Sequence, residues 1–99
     1  MYLLTAATAT GAGSAYALNK ASKTLQAFGT TTAGSGSATI LIQGSNDGTN
    51  WDTIGTITLT LATTTSSDSF ISADRYNRHR ANVSAISGTG ASVTVMAGF

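Results

Sequence analysis

Residue types able to do acid–base, nucleophilic or metal chemistry are sparse in this chain. His79 is its single histidine, it has neither Cys nor Glu, and its carboxylates are Asp47, Asp52, Asp68 and Asp74. A nucleophile needs an adjacent base to activate it, yet His79 has no Ser or Cys at a recognisable catalytic spacing and no Gly-x-Ser-x-Gly elbow occurs. Zinc sites of the usual His and Cys kind are ruled out by the same scarcity. Asp47 and Asp52 could both approach a calcium ion, but calcium wants six to eight oxygens, and the spaced carboxylates of an EF-hand loop are missing. Turn stabilisation is the better reading of these aspartates. Gly34-Ser35-Gly36 and Gly88-Thr89-Gly90 precede strand-like segments rather than helices, so neither forms a phosphate-binding loop. The expectation is a protein that is not an enzyme and uses no metal or cofactor.

Two stretches could instead bind something. Arg75-Tyr76-Asn77-Arg78-His79-Arg80 holds three of the five basic residues. A strand would put Tyr76, Arg78 and Arg80 on one face, a patch suited to stacking and ion pairing with an acidic neighbour or to charged protection of a sheet edge. Two or three phosphate contacts with no wider basic field give little affinity for nucleic acid, which is not expected as a partner. The second stretch, Gly44-Ser45-Asn46-Asp47-Gly48-Thr49-Asn50-Trp51, contains the only Trp. Its turn-forming residues read as a hairpin connection, with Trp51 burying its ring to anchor the returning strand. The alternative is a glycan-binding loop in which Asn46, Asp47 and Asn50 offer hydrogen bonds and Trp51 a stacking face. The Ser-Asn-Asp-Gly-x-x-Trp pattern resembles one turn of the discoidin-like carbohydrate-binding modules, domains longer than this chain.

The elements that must position these residues follow from composition and periodicity. Ninety-nine residues suit one domain, and a chain of that size buries only about 60 to 65 per cent of its unfolded surface. Without Cys no disulfide reinforces it, so association with another copy, as a homodimer or homotrimer, is the remaining common route to more buried area. Only 9% of residues are charged and the formal net charge is +1, against roughly 25% charged in an ordinary soluble domain. Thr and Ser supply about 30% of the chain. Missing Glu, abundant Thr and eleven Gly disfavour helices and suit strands joined by tight turns.

Taken in order, residues 1–14 read as an extended N-terminal arm and 15–99 as a single β-sandwich domain. Met1, Tyr2, Leu3 and Leu4 lack the charge pattern of a signal peptide, nothing is long enough for a transmembrane helix, and membrane is not expected as a partner. Those four residues are either a frayed end or an apolar arm that docks on a neighbour. Ala15 to Leu18 is a short strand candidate, connected by Asn19 to Ser22 to Lys23–Thr31, where Leu25, Ala27 and Gly29 alternate with Gln26 and Phe28 and either side could be buried. Ser37 to Gln43 includes Ile40-Leu41-Ile42, a run that implies burial on both faces or coverage by a partner. Trp51 to Ala62 puts Ile57, Leu59 and Leu61 on one face and Thr56, Thr58 and Thr60 on the other. Ile54 has the wrong parity for that row, and Gly55 beside it points to a β-bulge. Thr63 to Asp68 reads as a loop and Ser69 to Ser72 as a short strand. In the segment from Tyr76 to Ser87, His79, Ala81, Val83 and Ala85 share one face, and Ser87 to Gly90 reads as a hairpin turn into Ala91, Val93, Val95 and Ala97. The Ala81-Val83-Ala85 and Ala91-Val93-Val95 rows would make one thin inner face, opposed by the bulkier Ile and Leu rows. About seven strands at turn-punctuated intervals make an all-β antiparallel β-sandwich or small jelly roll.

The runs Ala38 to Trp51, Ile54 to Leu59 and Arg80 to Val95 resemble small virion proteins of tailed bacteriophages, in matching order within residues 38–95. The resemblance implies a β-sandwich on the outer surface of the capsid, a decoration or cement protein with the major capsid protein and further copies of itself as partners. Met1, Tyr2, Leu3, Leu4, Tyr76, Arg78 and Arg80 are the expected contact residues. A carbohydrate-binding module on a phage fibre, using Asn46, Asp47, Asn50 and Trp51, and a head–tail or tail component are the alternatives.

Overall fold

A computed structural model describes residues 2–17, 22–74 and 76–98. Eight strands run through them: β1 (Tyr2–Ala7), β2 (Gly11–Ala12), β3 (Lys23–Thr30), β4 (Ala33–Ser45), β5 (Asp52–Leu61), β6 (Ser66–Ser72), β7 (Arg78–Thr89) and β8 (Ser92–Gly98). They form two four-stranded sheets, ordered β1-β8-β3-β6 and β2-β7-β4-β5, and every pairing is antiparallel. Each position in the first sheet is matched in the second by the strand next to it in sequence. The chain therefore changes sheet at every connection except β4 to β5, and the result is an eight-stranded jelly roll.

Alternation explains the interior. Leu25 and Ala27 of β3, Val93, Val95 and Ala97 of β8, and Leu3 of β1 meet Ala38, Ile40, Ile42, Ile57, Leu59, Leu61, Ala81 and Val83 of the second sheet in a single core. The side of β3 left open by the sequence is thus settled, with Leu25, Ala27 and Gly29 inward and Thr24 and Gln26 exposed. Within the Ile40-Leu41-Ile42 run, Ile40 and Ile42 are fully buried while Leu41, on the outer face, is half-buried.

Several expectations need correction. The Ser87 to Gly90 segment is a corner between sheets and not a hairpin, because β7 pairs with β4 while β8 pairs with β3. Alternating burial is the same for strands side by side in one sheet and strands facing each other across a core. The two small-residue rows accordingly lie in different sheets. Ala85 also leaves its row: β7 holds an extra residue, Ser84, where register shifts between Val83↔Ile40 and Ala85↔Thr39. Ala85 is exposed as a result, and Ile86 packs against the core. Strand β6 begins at Ser66, inside the expected loop. Residues 2–14, expected as an extended arm, include β1 and β2, which supply one edge strand to each sheet. Of the expected strand 15–18, Tyr16 makes an isolated bridge to His79; Leu18 and the connection 19–21 lie outside the described residues.

The bulge at Ile54 is present. Ile42 pairs with Gly55 and Gln43 with Thr53, so Ile54 is the unmatched residue. Gly55 is required beside it because a Cβ there would lie 2.5 Å from Cζ of Phe70, whose ring reaches across from β6. Gly55→Ala is expected to cost about 1–3 kcal/mol through overpacking. Ile57→Ala should cost about 2–5 kcal/mol as a core truncation, and Ile54→Ala clearly less than Ile57→Ala. Urea unfolding checks the order, and equal losses at positions 54 and 57 would contradict the bulge assignment.

Candidate functional site

The candidate residues gather at the end of the jelly roll where β4 turns into β5. The Asn46–Trp51 loop is held from inside. Ser45 Oγ donates to Asp47 Oδ1 at 2.9 Å and accepts from the N–H groups of Asp47 and Gly48 at 3.3 and 2.9 Å. Asp47 Oδ1 also accepts from the backbone of Thr49 and Asn50, each at 2.8 Å, and its Oδ2 from Asn50 Nδ2 at 2.7 Å. The N–H groups of Asn50 and Thr49, with the Asn50 amide and Ser45 hydroxyl, hold the Asp47 carboxyl far below the usual carboxylate range. Asn46 ties the loop to its neighbour, accepting from Asn77 N at 3.1 Å. Asn46, Asp47 and Asn50 are thus engaged in building the hairpin that their turn chemistry predicts.

Trp51 is not in the core. Its half-buried ring lies at the outer face of the second sheet, with the Arg80 guanidinium carbon 4.3 Å from the ring centroid. Arg80 is cross-strand from Gln43, which is itself cross-strand from Thr53, and Arg80 Nε donates to Gln43 Oε1 at 2.8 Å. Arg78 has the same parity and is exposed. Its side chain runs beside Gly48, whose positive φ of 77° closes the turn. Tyr76 does not join this face, because β7 starts only at Arg78. Instead its ring packs over Gly44, where a Cβ would meet it at 2.5 Å, and its hydroxyl donates to Asp52 Oδ2 at 3.1 Å. That bond to Asp52, with the carboxylate's charge, raises the Tyr76 hydroxyl above its ordinary pKa. Arg75 lies outside the described residues.

Beneath the loops sits a polar cluster the sequence reading did not assemble. Lys23 and His79 are fully buried. His79 Nε2 is 2.6 Å from Asp74 Oδ1, Lys23 Nζ is 3.6 Å from Asp74 Oδ2 and donates to the Asp74 carbonyl at 2.5 Å, and Ser72 Oγ donates to Oδ2. Burial pushes the Asp74 carboxyl up, but the Ser72, His79 and Tyr76 N–H hydrogen bonds and the His79 charge together outweigh it and leave it below its usual range. The Ser hydroxyl contacts the carboxylate and not the imidazole, whose Nδ1 is buried with no partner among the described residues. This is a hydrogen-bonded ion-pair hub and lacks the Ser–His contact of a nucleophilic triad. The signal for it was parity: Lys23 falls in the Leu25-Ala27 row, and His79 in the Ala81-Val83 row.

The N-terminal candidates separate. Met1 lies outside the described residues, Tyr2 is 53% exposed, Leu4 is half-buried, and Leu3 is buried in the chain's own core at 2%. Leu3 therefore offers no surface to a neighbour, because β1 docks on β8 of the same chain. Tyr2 to Thr5, Gly13, Ser14 and Tyr16 border an open recess of about 250 Å³. Among the described residues, no group of three or more His, Cys, Asp or Glu is placed to hold a metal, and no helix is long and apolar enough to cross a membrane. Comparison with protein-family models, curated proteins and solved structures finds no match to this chain.

Removing the hub carboxylate tests the cluster. Asp74→Asn is expected to cost about 1.5–3 kcal/mol, the range for hydrogen bonds to charged groups, because Lys23 and His79 stay buried without it. Asp47 and Asp74 both have lowered pKa values in the fold, so their stabilisation is complete above the unfolded carboxylate pKa of about 3.9 and disappears as pH falls through their folded values. Thermal melts should show the wild type losing stability progressively below about pH 4. Asp74→Asn should be weaker at neutral pH and flatter in acid.

Proposed function

We propose that this chain is a structural virion protein of a tailed bacteriophage, a decoration or cement protein on the outer surface of the head that bridges neighbouring major capsid proteins. The observation that carries this reading is the character of the second sheet's outer face. Thr53, Thr56, Thr58 and Thr60 of β5 are exposed there in a neutral row along a sheet edge, and Arg78, Arg80 and Trp51 stand at its loop end. Surfaces meant for close contact with protein avoid Lys and Glu and favour Arg and aromatic residues. Jelly rolls occur in viral capsid proteins and in lectins alike, so the architecture is compatible with the reading without selecting it. The resemblance of Ala38–Trp51, Ile54–Leu59 and Arg80–Val95 to small phage virion proteins supplies the biological setting. Many modest contacts across a shell suffice, because repeated attachment multiplies weak affinities.

A glycan-binding role on a fibre is the second reading, favoured by one observation: Trp51 lies at the surface and not in the core. It ranks lower because Asn46, Asp47 and Asn50 are committed to the loop itself.

Particles purified without this protein should lose heat resistance and regain it when the protein is added back. Unchanged resistance, or imaging that finds the protein only at one vertex, would count against a cement role and toward a head–tail component. Glycan binding abolished by Trp51→Ala in a folded variant would favour the fibre module.

A further inference from the structure

We infer that Arg80 is a pre-positioned fork for a carboxylate, and that the Trp51–Arg80–Gln43 cluster takes an Asp or Glu side chain from an acidic segment of a neighbouring protein. The inference relies on the proposed structural role only for the identity of that neighbour.

An arginine on an exposed strand ordinarily samples many rotamers, and ordering it opposes binding. Here two contacts fix it. The Arg80 guanidinium carbon lies over the Trp51 ring, 4.3 Å from its centroid, and Gln43 Oε1 accepts from Nε at 2.8 Å. Gln43 is only 9% exposed, so the group that aims Arg80 is itself held by the sheet. Nε is occupied, and both terminal NH₂ groups remain to present the end-on, two-donor edge that matches a carboxylate. Among the described residues the ion pairs are Lys23–Asp74 and His79–Asp74, and neither Arg80 nor Arg78 has a carboxylate partner. The other acids at this end of the sandwich are engaged elsewhere, Asp47 within its loop, Asp52 with the Tyr76 hydroxyl and Asp74 with Lys23 and His79.

Chemistry also selects the partner. Net charge is only +1, so a polyphosphate or nucleic acid would find two nearby arginines and no extended field to release its counterions. An acidic side chain needs one fork, and the Trp51 ring and neutral Thr row give its flanking residues something to pack against. Arg78, two residues earlier on the same face, adds a second positive charge without a fixing contact of its own.

Trp51 is the only Trp and reports on the site directly. Its fluorescence should change saturably on titration with a hexaglutamate peptide and not with hexaglutamine, with affinity falling as salt rises from about 20 to about 200 mM. Arg80→Lys, which keeps the charge and loses the fork, should weaken binding about tenfold. Arg80→Gln should abolish it, with circular dichroism confirming that both variants fold. No saturable change at millimolar hexaglutamate, binding by Arg80→Lys equal to wild type, or inorganic phosphate binding as tightly as the peptide would each overturn the inference. Hexaglutamate binding by a protein that ignores phage shells would uphold the fork and refute the virion role. Shell attachment undiminished by Arg80→Gln would do the reverse.

Discussion

Lys23 and His79 lie on buried rows that otherwise carry only small and apolar side chains, and the Asp74 carboxylate is what permits them there. Desolvating a cation costs several kcal/mol unless an opposite charge and hydrogen bonds accompany it into the interior. Asp74 supplies both, and it does so across the sandwich: Lys23 and Ser72 belong to the first sheet and His79 to the second. The two sheets are therefore joined at this end by one carboxylate, whereas elsewhere they are joined by apolar packing. In a chain without Cys, that hub occupies the place a disulfide often takes in small domains.

The loops depend on it in turn. Asp74 also receives the Tyr76 N–H at 3.2 Å, fixing the segment whose Tyr76 ring covers Gly44 and whose Asn77 binds Asn46. The hairpin loop is thus braced from below, as well as by its own Asp47. A braced loop places Trp51 where the Arg80 guanidinium can lie on it, and a precise surface feature is built from an interior charge. Preorganisation of this kind lets a small contact contribute usefully to association, since less conformational freedom remains to be lost.

The jelly roll leaves four edge strands, β1 and β6 in one sheet and β2 and β5 in the other. β2 is very short, and β1 carries register irregularities, both of which discourage unwanted pairing. β5 is longer and neutral beyond Asp52, with exposed Thr along it. The fold by itself is shared by proteins of unrelated activity, so function rests on such surfaces.

The sequence by itself determined the strands from β3 onward, the hairpin at Asn46–Trp51, the bulge at Ile54 and the Ile57-Leu59-Leu61, Ala81-Val83 and Ala91-Val93-Val95 rows, because each follows from local turn chemistry or a period of two that neighbouring residues already contain. It also placed His79 on the row of Ala81 and Val83, but it left open which side of the Lys23–Thr31 strand faces inward. It could not determine which rows share a sheet, since alternation is identical for strands beside one another and strands facing across a core; hence the Ser87–Gly90 corner read as a hairpin. The Ser84 bulge was equally hidden, with no glycine to mark it. Trp51 was placed inside by its size, but the tertiary structure puts it outside, where Arg80 offers a partner that the interior does not. Only tertiary structure could bring Asp74 to Lys23, 51 residues away, because a buried charge chooses its partner by the topology of the fold and not by spacing along the chain.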